Sequence, residues 1–172
     1  MEKIIDVSAE INVPLSTAYN QWTQFKQFPS FMRSVKSVEQ IDDTHLRWTA
    51  EIFGQDAEGE AEISEQIPDT RIAWRSTSGV PNSGVVEFSQ TEGEATRVRI
   101  WIEYNTQGLF ESVADKLHLF SSRVEGELRR FKAFIEGRQQ ETGAWRGEVK
   151  DPEAEHRARP GASSPTGAAT HG

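Results

Sequence analysis

Between Lys3 and Asn12, Ile5, Val7, Ala9 and Ile11 alternate with largely polar neighbours. This period of two predicts a half-buried strand. Pro14 suits the first turn of a helix. Leu15, Ala18, Tyr19, Trp22 and Phe25 then follow at helical spacing. That helix stops before Pro29, because the residue preceding a proline disfavours the α region. The stretch "QFPSFM" makes a short second helix or a turn.

The period then returns to two. Val35 to Ile41 forms one run, and Leu46, Trp48, Ala50 and Ile52 alternate in the next. Ala57, Gly59, Ala61 and Ile63 share one face of a third run, with Glu58, Glu60 and Glu62 on the other. Ile72 with Trp74, Val86 with Phe88, and Val98, Ile100, Ile102 with Tyr104 complete six strands. The links "DDT", "IPDT", "SGVPNSG" and "TEGE" are short, so an antiparallel meander of hairpins is the economical topology. From about 110 to 138 the spacing becomes helical again. Phe110, Val113, Ala114, Leu117, Phe120, Ser121, Val124, Leu128, Phe131, Phe134 and Ile135 mark one stripe. Such a helix, roughly 40 Å long at 1.5 Å per residue, crosses the whole sheet. A straight rod does not fill a bent trough, and the gap between them is where a ligand would sit.

Past residue 140 the composition shifts to Gly, Ala, Pro, Ser, Thr and charge, with Trp145 and Val149 the last large apolar residues. Too little surface remains to offset the entropy of ordering. The expected organisation is a folded domain over 1–140 and a flexible tail over 141–172, and a length of 172 residues agrees with one domain.

Composition narrows the chemistry. The chain has no cysteine, so disulfides, zinc–thiolate sites and thiol nucleophiles are excluded. Its net charge of −8 opposes a phosphate backbone, so nucleic acid is not an expected partner. No apolar run approaches the roughly 18 residues of a membrane span. The first residues lack a basic segment followed by an apolar one, so no secretory signal is expected and a cytoplasmic location is.

The inward sheet face carries Trp48, Ile63, Trp74, Phe88, Ile100, Ile102 and Tyr104, opposite Leu117, Phe120 and Val124. These groups are bulky enough for a solid core. Ala57, Gly59 and Ala61 on the same face leave room or permit curvature. Trp22 and Phe25 read as core. Phe28, Phe31 and Met32 follow the bend at Pro29, and both core and pocket wall are open to them; methionine adapts to varied apolar partners. Glu58, Glu60 and Glu62 face away from this surface. Glu62 is expected to pair with Arg75, and Glu87 with Arg99, in a charge-paired outer face rather than a metal site. His45 is expected on the outside, and His156 and His171 lie in the tail. His118 adjoins the helix stripe but has no partner at a convincing spacing for a general base. Tyr104 and Ser121 face inward, and a tyrosine there can orient a ligand carbonyl or bond to backbone. No Ser-His-Asp set, nucleophile elbow, P-loop or dinucleotide fingerprint is present.

Four stretches, "WTQFKQFPSFMRSVKSVEQIDDTHLRW", "AEISEQIPDTRIAWRS", "SGVVEFSQTEGEATRVRIWIEY" and "LRRFKAFIE", make the chain resemble the START-like (SRPBCC) superfamily, and within it the bacterial polyketide cyclase/dehydrase family. The likeness spans roughly residues 3 to 137. It implies an α+β helix-grip (Bet v 1/START-like) fold: a curved antiparallel sheet wrapped around a long C-terminal helix, with two short helices after the first strand. It also implies an internal cavity for lipids, polyketides or quinones. On this chain the expected lining is Phe28, Phe31, Met32, Trp48, Trp74, Phe88, Ile100, Ile102, Tyr104, Leu117 and Phe120. The expected function is binding or transport of a hydrophobic small molecule, with no cofactor and no metal. The first alternative is a cyclase/aromatase-type enzyme in which Tyr104 or His118 moves protons. The second is a protein-interaction or chaperone module. Ligand identity and oligomeric state are left open.

Overall fold

The computed structural model describes residues 2–52, 54–105 and 117–150. The alternating segments form strands β1 (Glu2–Ile11), β2 (Val35–Gln40), β3 (His45–Ile52), β4 (Gln55–Ile67), β5 (Arg71–Gly79), β6 (Asn82–Gln90) and β7 (Thr96–Asn105). Helix α1 (Leu15–Trp22) and a 3-10 helix (Phe25–Ser30) lie between β1 and β2, and α2 (Leu117–Arg138) follows β7. Every sheet pairing is antiparallel, and the strand order is β1-β7-β6-β5-β4-β3-β2. The first strand closes on the last, so the meander of hairpins curls into a half-barrel with α2 on its concave side.

Pro14 caps α1 rather than entering its first turn, and Pro29 sits inside the 3-10 helix. The flanking turns are closed by the Gln27 N–H to the Gln24 carbonyl and by the Phe31 and Met32 N–H groups to the Phe28 carbonyl, none of which needs an N–H at Pro29. Curvature has visible causes. Register shifts place an extra residue in β2 between Val35 and Ser37, in β5 at Thr77 opposite Glu60 and Ala61, and in β4 between Ile63 and Glu65. Such bulges bend a strand and increase its twist. The last one also resets the alternation, so that Glu65 and Gln66 are both buried, Glu65 in an ion pair with Arg71.

Inward residues of the sheet, among them Ile5, Ile11, Ile63, Ile72, Val86, Val98 and Ile100, pack on Leu128, Phe131 and Ile135 of α2. The outer face carries cross-strand ion pairs. Glu62 lies opposite Arg75 in register and 3.2 Å from it, and Arg99 lies between Asp6 and Glu87 at 2.7 and 3.7 Å. These exposed pairs fix register more than they add stability. His45 stands half-buried at the start of β3 and pairs with Asp42 at 2.8 Å.

The C-terminal half of α2 is clipped to the end of β1. Lys132 Nζ donates to the Glu10 carbonyl at 2.6 Å and to Glu136 at 2.7 Å, and Glu136 accepts from the Asn12 N–H at 2.8 Å. Phe110, Val113 and Ala114, expected on the same helix, lie outside the described residues.

The chain keeps contact with the fold beyond the expected boundary at 140. Residues 141–150 cross the outer side of α1. Gln21 and Thr142 exchange two hydrogen bonds, of 2.8 and 3.0 Å. The Trp145 N–H donates to Thr23 Oγ1 at 3.0 Å, and Val149 forms a two-way bridge with Gln66. Arg146 donates to Asn20 at 2.6 Å, pairs with Asp69 at 2.9 Å and lies over the Tyr19 ring. Here polar rather than apolar side chains hold the segment, and the apolar pattern carries no sign of these contacts. The rest of the expected tail, 151–172, lies outside the described residues.

Candidate functional site

The aromatic cluster around the 3-10 helix divides by depth. Trp22 packs edge-on against Phe131 with centroids 4.7 Å apart, and Phe31 meets Phe131 at 5.2 Å and Phe134 at 5.1 Å. The two contacts to Phe131 are edge-to-face, and such pairs add about 0.5–1.5 kcal/mol each beyond area burial. This cluster plugs one end of the trough and anchors α2. Phe28 and Met32, on the open side of the same cluster, are only half-buried.

Beyond the plug, sheet and helix separate around two adjoining chambers. The first encloses about 260 Å³ and is bordered by Trp22, Phe25, Phe28, Met32, Val38, Leu46, Ala61, Ile63, Ile72, Val86 and Ile100. The second, of about 270 Å³, is bordered by Ser34, Ala50, Ile52, Val80, Tyr104, Phe120 and Arg123. Both share Val35, Trp48, Trp74, Asn82, Ile102, Val124 and Glu127. Together they reach the size range of small-molecule sites.

Two glycines make the space usable. Trp48 lies directly across from Gly59 in register, and Trp74 across from Gly84. A Cβ on Gly59 would come within 2.9 Å of the Trp48 indole, and one on Gly84 within 2.6 Å of the Trp74 indole. Each ring therefore lies flat over a bare patch of backbone instead of standing up into the chamber. Trp74 is further fixed by donating its indole N–H to Asn82 Oδ1 at 2.8 Å.

Polar groups are few. Asn82 spends its amide on Trp74 and on the Val80 carbonyl. Arg123 of α2 donates to Ser34 Oγ at 3.3 Å, linking the helix to the segment before β2. Tyr104 stacks on Phe120 at 4.9 Å, and its hydroxyl is enclosed with no hydrogen-bond partner among the described residues. Burial pushes that hydroxyl above the ordinary phenol range, so it stays protonated and can donate. Glu127 is buried on α2. One of its oxygens accepts from Arg130, and the other has no partner among the described residues. Among the described residues there is no group of three or more His, Asp or Glu that could hold a metal ion. No helix of the described residues is long and apolar enough to cross a membrane.

Of the residues expected to line a site, Phe28, Met32, Trp48, Trp74, Ile100, Ile102, Tyr104 and Phe120 border the chambers. Phe31 and Phe88 do not. Phe31 is turned into the plug, and Phe88 packs on Tyr19 and Trp22 at 5.4 and 6.2 Å. Both are core because α1 and the plug fill the trough at their end. Trp22 and Phe25, expected as core, are buried and also wall the first chamber. The side chains of Leu117 and His118 lie outside the described residues. Asn82 and Glu127 were missed. The signal for Glu127 was its spacing, three residues after Val124 and four before Phe131, which places it on the inward stripe despite its charge.

A family model described as "Polyketide cyclase / dehydrase and lipid transport" matches residues 11–133. An uncharacterised 17.2 kDa protein from the melC2–rnhH intergenic region of Streptomyces lincolnensis is 44% identical over 146 residues, covering 84% of this chain and 97% of that one. Among solved structures, a START superfamily protein from Mycobacterium smegmatis superimposes with a TM-score of 0.68 at 12% identity, covering 78% of this chain and 97% of that one. The Zhui aromatase/cyclase from Streptomyces sp. R1128 does so with a TM-score of 0.69 at 11% identity, covering 84% and 100%. At such identities the two structures establish the fold.

Proposed function

The chain belongs to the polyketide cyclase/dehydrase and lipid transport family, and from that premise we propose that it binds one hydrophobic small molecule, a lipid, polyketide or quinone-like compound, beneath α2. The observation that carries this reading is the pair of adjoining chambers with almost wholly apolar walls. Removing apolar ligand surface from water supplies roughly 25 cal/mol per Å². Association and ordering offset part of that, so area alone does not choose the ligand. The few polar groups do. Tyr104, held protonated, donates to a ligand carbonyl in the second chamber. The N-terminal half of α2 and the β5–β6 hairpin are the parts that yield to admit the ligand, since the C-terminal half of α2 is held by the plug and by Lys132 and Glu136.

The test is native mass spectrometry and thermal shift with palmitic acid, 2-methyl-1,4-naphthoquinone and an aromatic polyketide. At least one compound is expected to bind and to raise the melting temperature. Val124→Trp, which fills the space shared by both chambers, is expected to weaken that binding at least tenfold while the protein stays folded. Absence of binding by all three, or tolerance of Val124→Trp, would sink the reading.

A cyclase/aromatase-type reaction is the second reading, favoured by the unpartnered, protonated Tyr104 hydroxyl at the chamber wall. There an α-carbon of the polyketide would lose its proton to water, its electron pair would form the carbon–carbon bond to a carbonyl carbon, and the π pair of that carbonyl would move to its oxygen, which takes the Tyr104 proton; water then reprotonates the tyrosine. Tyr104→Phe then abolishes turnover and leaves binding in place, whereas a carrier keeps its transfer activity in the same variant.

A further inference from the structure

Glu127 occupies a place on α2 that stability alone would give to an apolar residue. Its neighbours on the inward stripe are Val124, Leu128 and Phe131. Its side chain is 10% exposed, against 33% for its ion-pair partner Arg130, so the acid faces in and the base reaches out. Burying a carboxylate costs several kcal/mol, and a pair with one oxygen left unsatisfied is less favourable than a hydrophobic side chain of equal volume. Oε1 is satisfied by Arg130; Oε2 is enclosed with no partner among the described residues. Gly126, poor for a helix interior, stands beside this pair. A Cβ there would stand 3.3 Å from Arg130 Nη2, where the guanidinium folds back toward Glu127. Among the described residues, Glu127 is also the one acidic side chain that borders both chambers.

We propose that Glu127 is the polar anchor of this cavity, its free Oε2 accepting a hydrogen bond from a neutral hydroxyl, a phenol or alcohol, on an otherwise apolar ligand. This rests on the reading that the chambers hold a ligand. The donor is neutral because Arg130 already balances the carboxylate, and a second cation would leave excess charge among apolar walls. An anion is repelled, and a ketone or ether has no proton to give. Because Glu127 stands where the chambers meet, the hydroxyl lies between two apolar lobes rather than at one end. A hydroxyl–carboxylate bond in such surroundings is of the stronger, charge-assisted kind.

The experiment is isothermal titration calorimetry of the full chain with 2-naphthol, 2-methoxynaphthalene and 2-naphthylmethylamine. The wild type is expected to bind the naphthol about tenfold or more tightly than its methyl ether. Glu127→Met, similar in volume and without an acceptor, removes that preference, so that the variant binds naphthol and ether within about twofold of each other. Glu127→Gln, a neutral acceptor, falls between and serves as the second variant if the first does not fold. Equal wild-type affinity for naphthol and ether, or a preference that survives both substitutions, overturns the anchor and leaves the cavity reading standing. Tighter binding of the amine than of the naphthol also overturns it, in favour of a cation site. Binding of none of the three compounds overturns the anchor, and the cavity reading falls with it only if palmitic acid, the naphthoquinone and the polyketide also fail to bind.

Discussion

Single residues matter here mainly where polarity meets burial. Tyr104 leaves its hydroxyl unpaired in the protein alone, and an unpaired buried polar group costs free energy. Tyr104→Phe is therefore expected to leave the empty protein as stable or up to about 1 kcal/mol more stable, read as an unchanged or raised melting temperature. Glu136 is the opposite case. Burial works against its ionised form, but the Lys132 ammonium and the Asn12 N–H hold its carboxyl below the ordinary value of 4.5. A depressed carboxyl contributes stability above its unfolded pKa and loses it as pH falls through the folded one. The gap in melting temperature between wild type and Glu136→Gln should be full above about pH 5 and close as the pH drops through and below 4.5. Period-two alternation was enough to place Trp48, Trp74 and Tyr104 inward. Glu127 shared the α2 stripe by its three- and four-residue spacing, but its charge made it look like surface, and nothing local announces that an acid will be buried.

Elements were more legible than side chains. Hairpin links of a few residues fix register, so Glu87 opposite Arg99 followed from turn position alone, whereas Glu62 meets Arg75 only because the shift between Ile63 and Glu65 moves the register by one residue. The bulge in β4 did not follow, because a bulge is a compromise between curvature and the sheet around it, and Glu65 and Gln66 went inside unforeseen. The seating of Trp48 on Gly59 and Trp74 on Gly84 was also hidden. The small residues of β4 suggested room, without saying that a ring from the neighbouring strand would lie over it. Gly84→Ala tests this. Its Cβ would stand 2.6 Å from the Trp101 carbonyl oxygen as well as from the Trp74 ring, so both backbone and indole must shift. A loss of about 1–3 kcal/mol is expected, measured as a lower denaturant midpoint with an unchanged slope.

At the scale of the molecule, the segment 141–150 belongs with the fold. It satisfies Asn20, Gln21 and Thr23 on a helix whose Trp22 walls the first chamber. Each such bond contributes about 0.5–1.5 kcal/mol net, and together they must exceed the entropy of fixing ten residues. A chain ending at 140 is expected to melt roughly 4–8 °C below one ending at 150, a loss of about 2 kcal/mol. Equal melting would show that the contacts add nothing. The indoles that wall the cavity have a practical consequence. Of five tryptophans, Trp22, Trp48 and Trp74 border the chambers, while Trp101 lies on the outer sheet face and Trp145 in the segment over α1. The unlabelled chain thus carries its own optical reporter: a ligand that displaces water from three fluorophores changes their emission colour, and the other two supply a constant background.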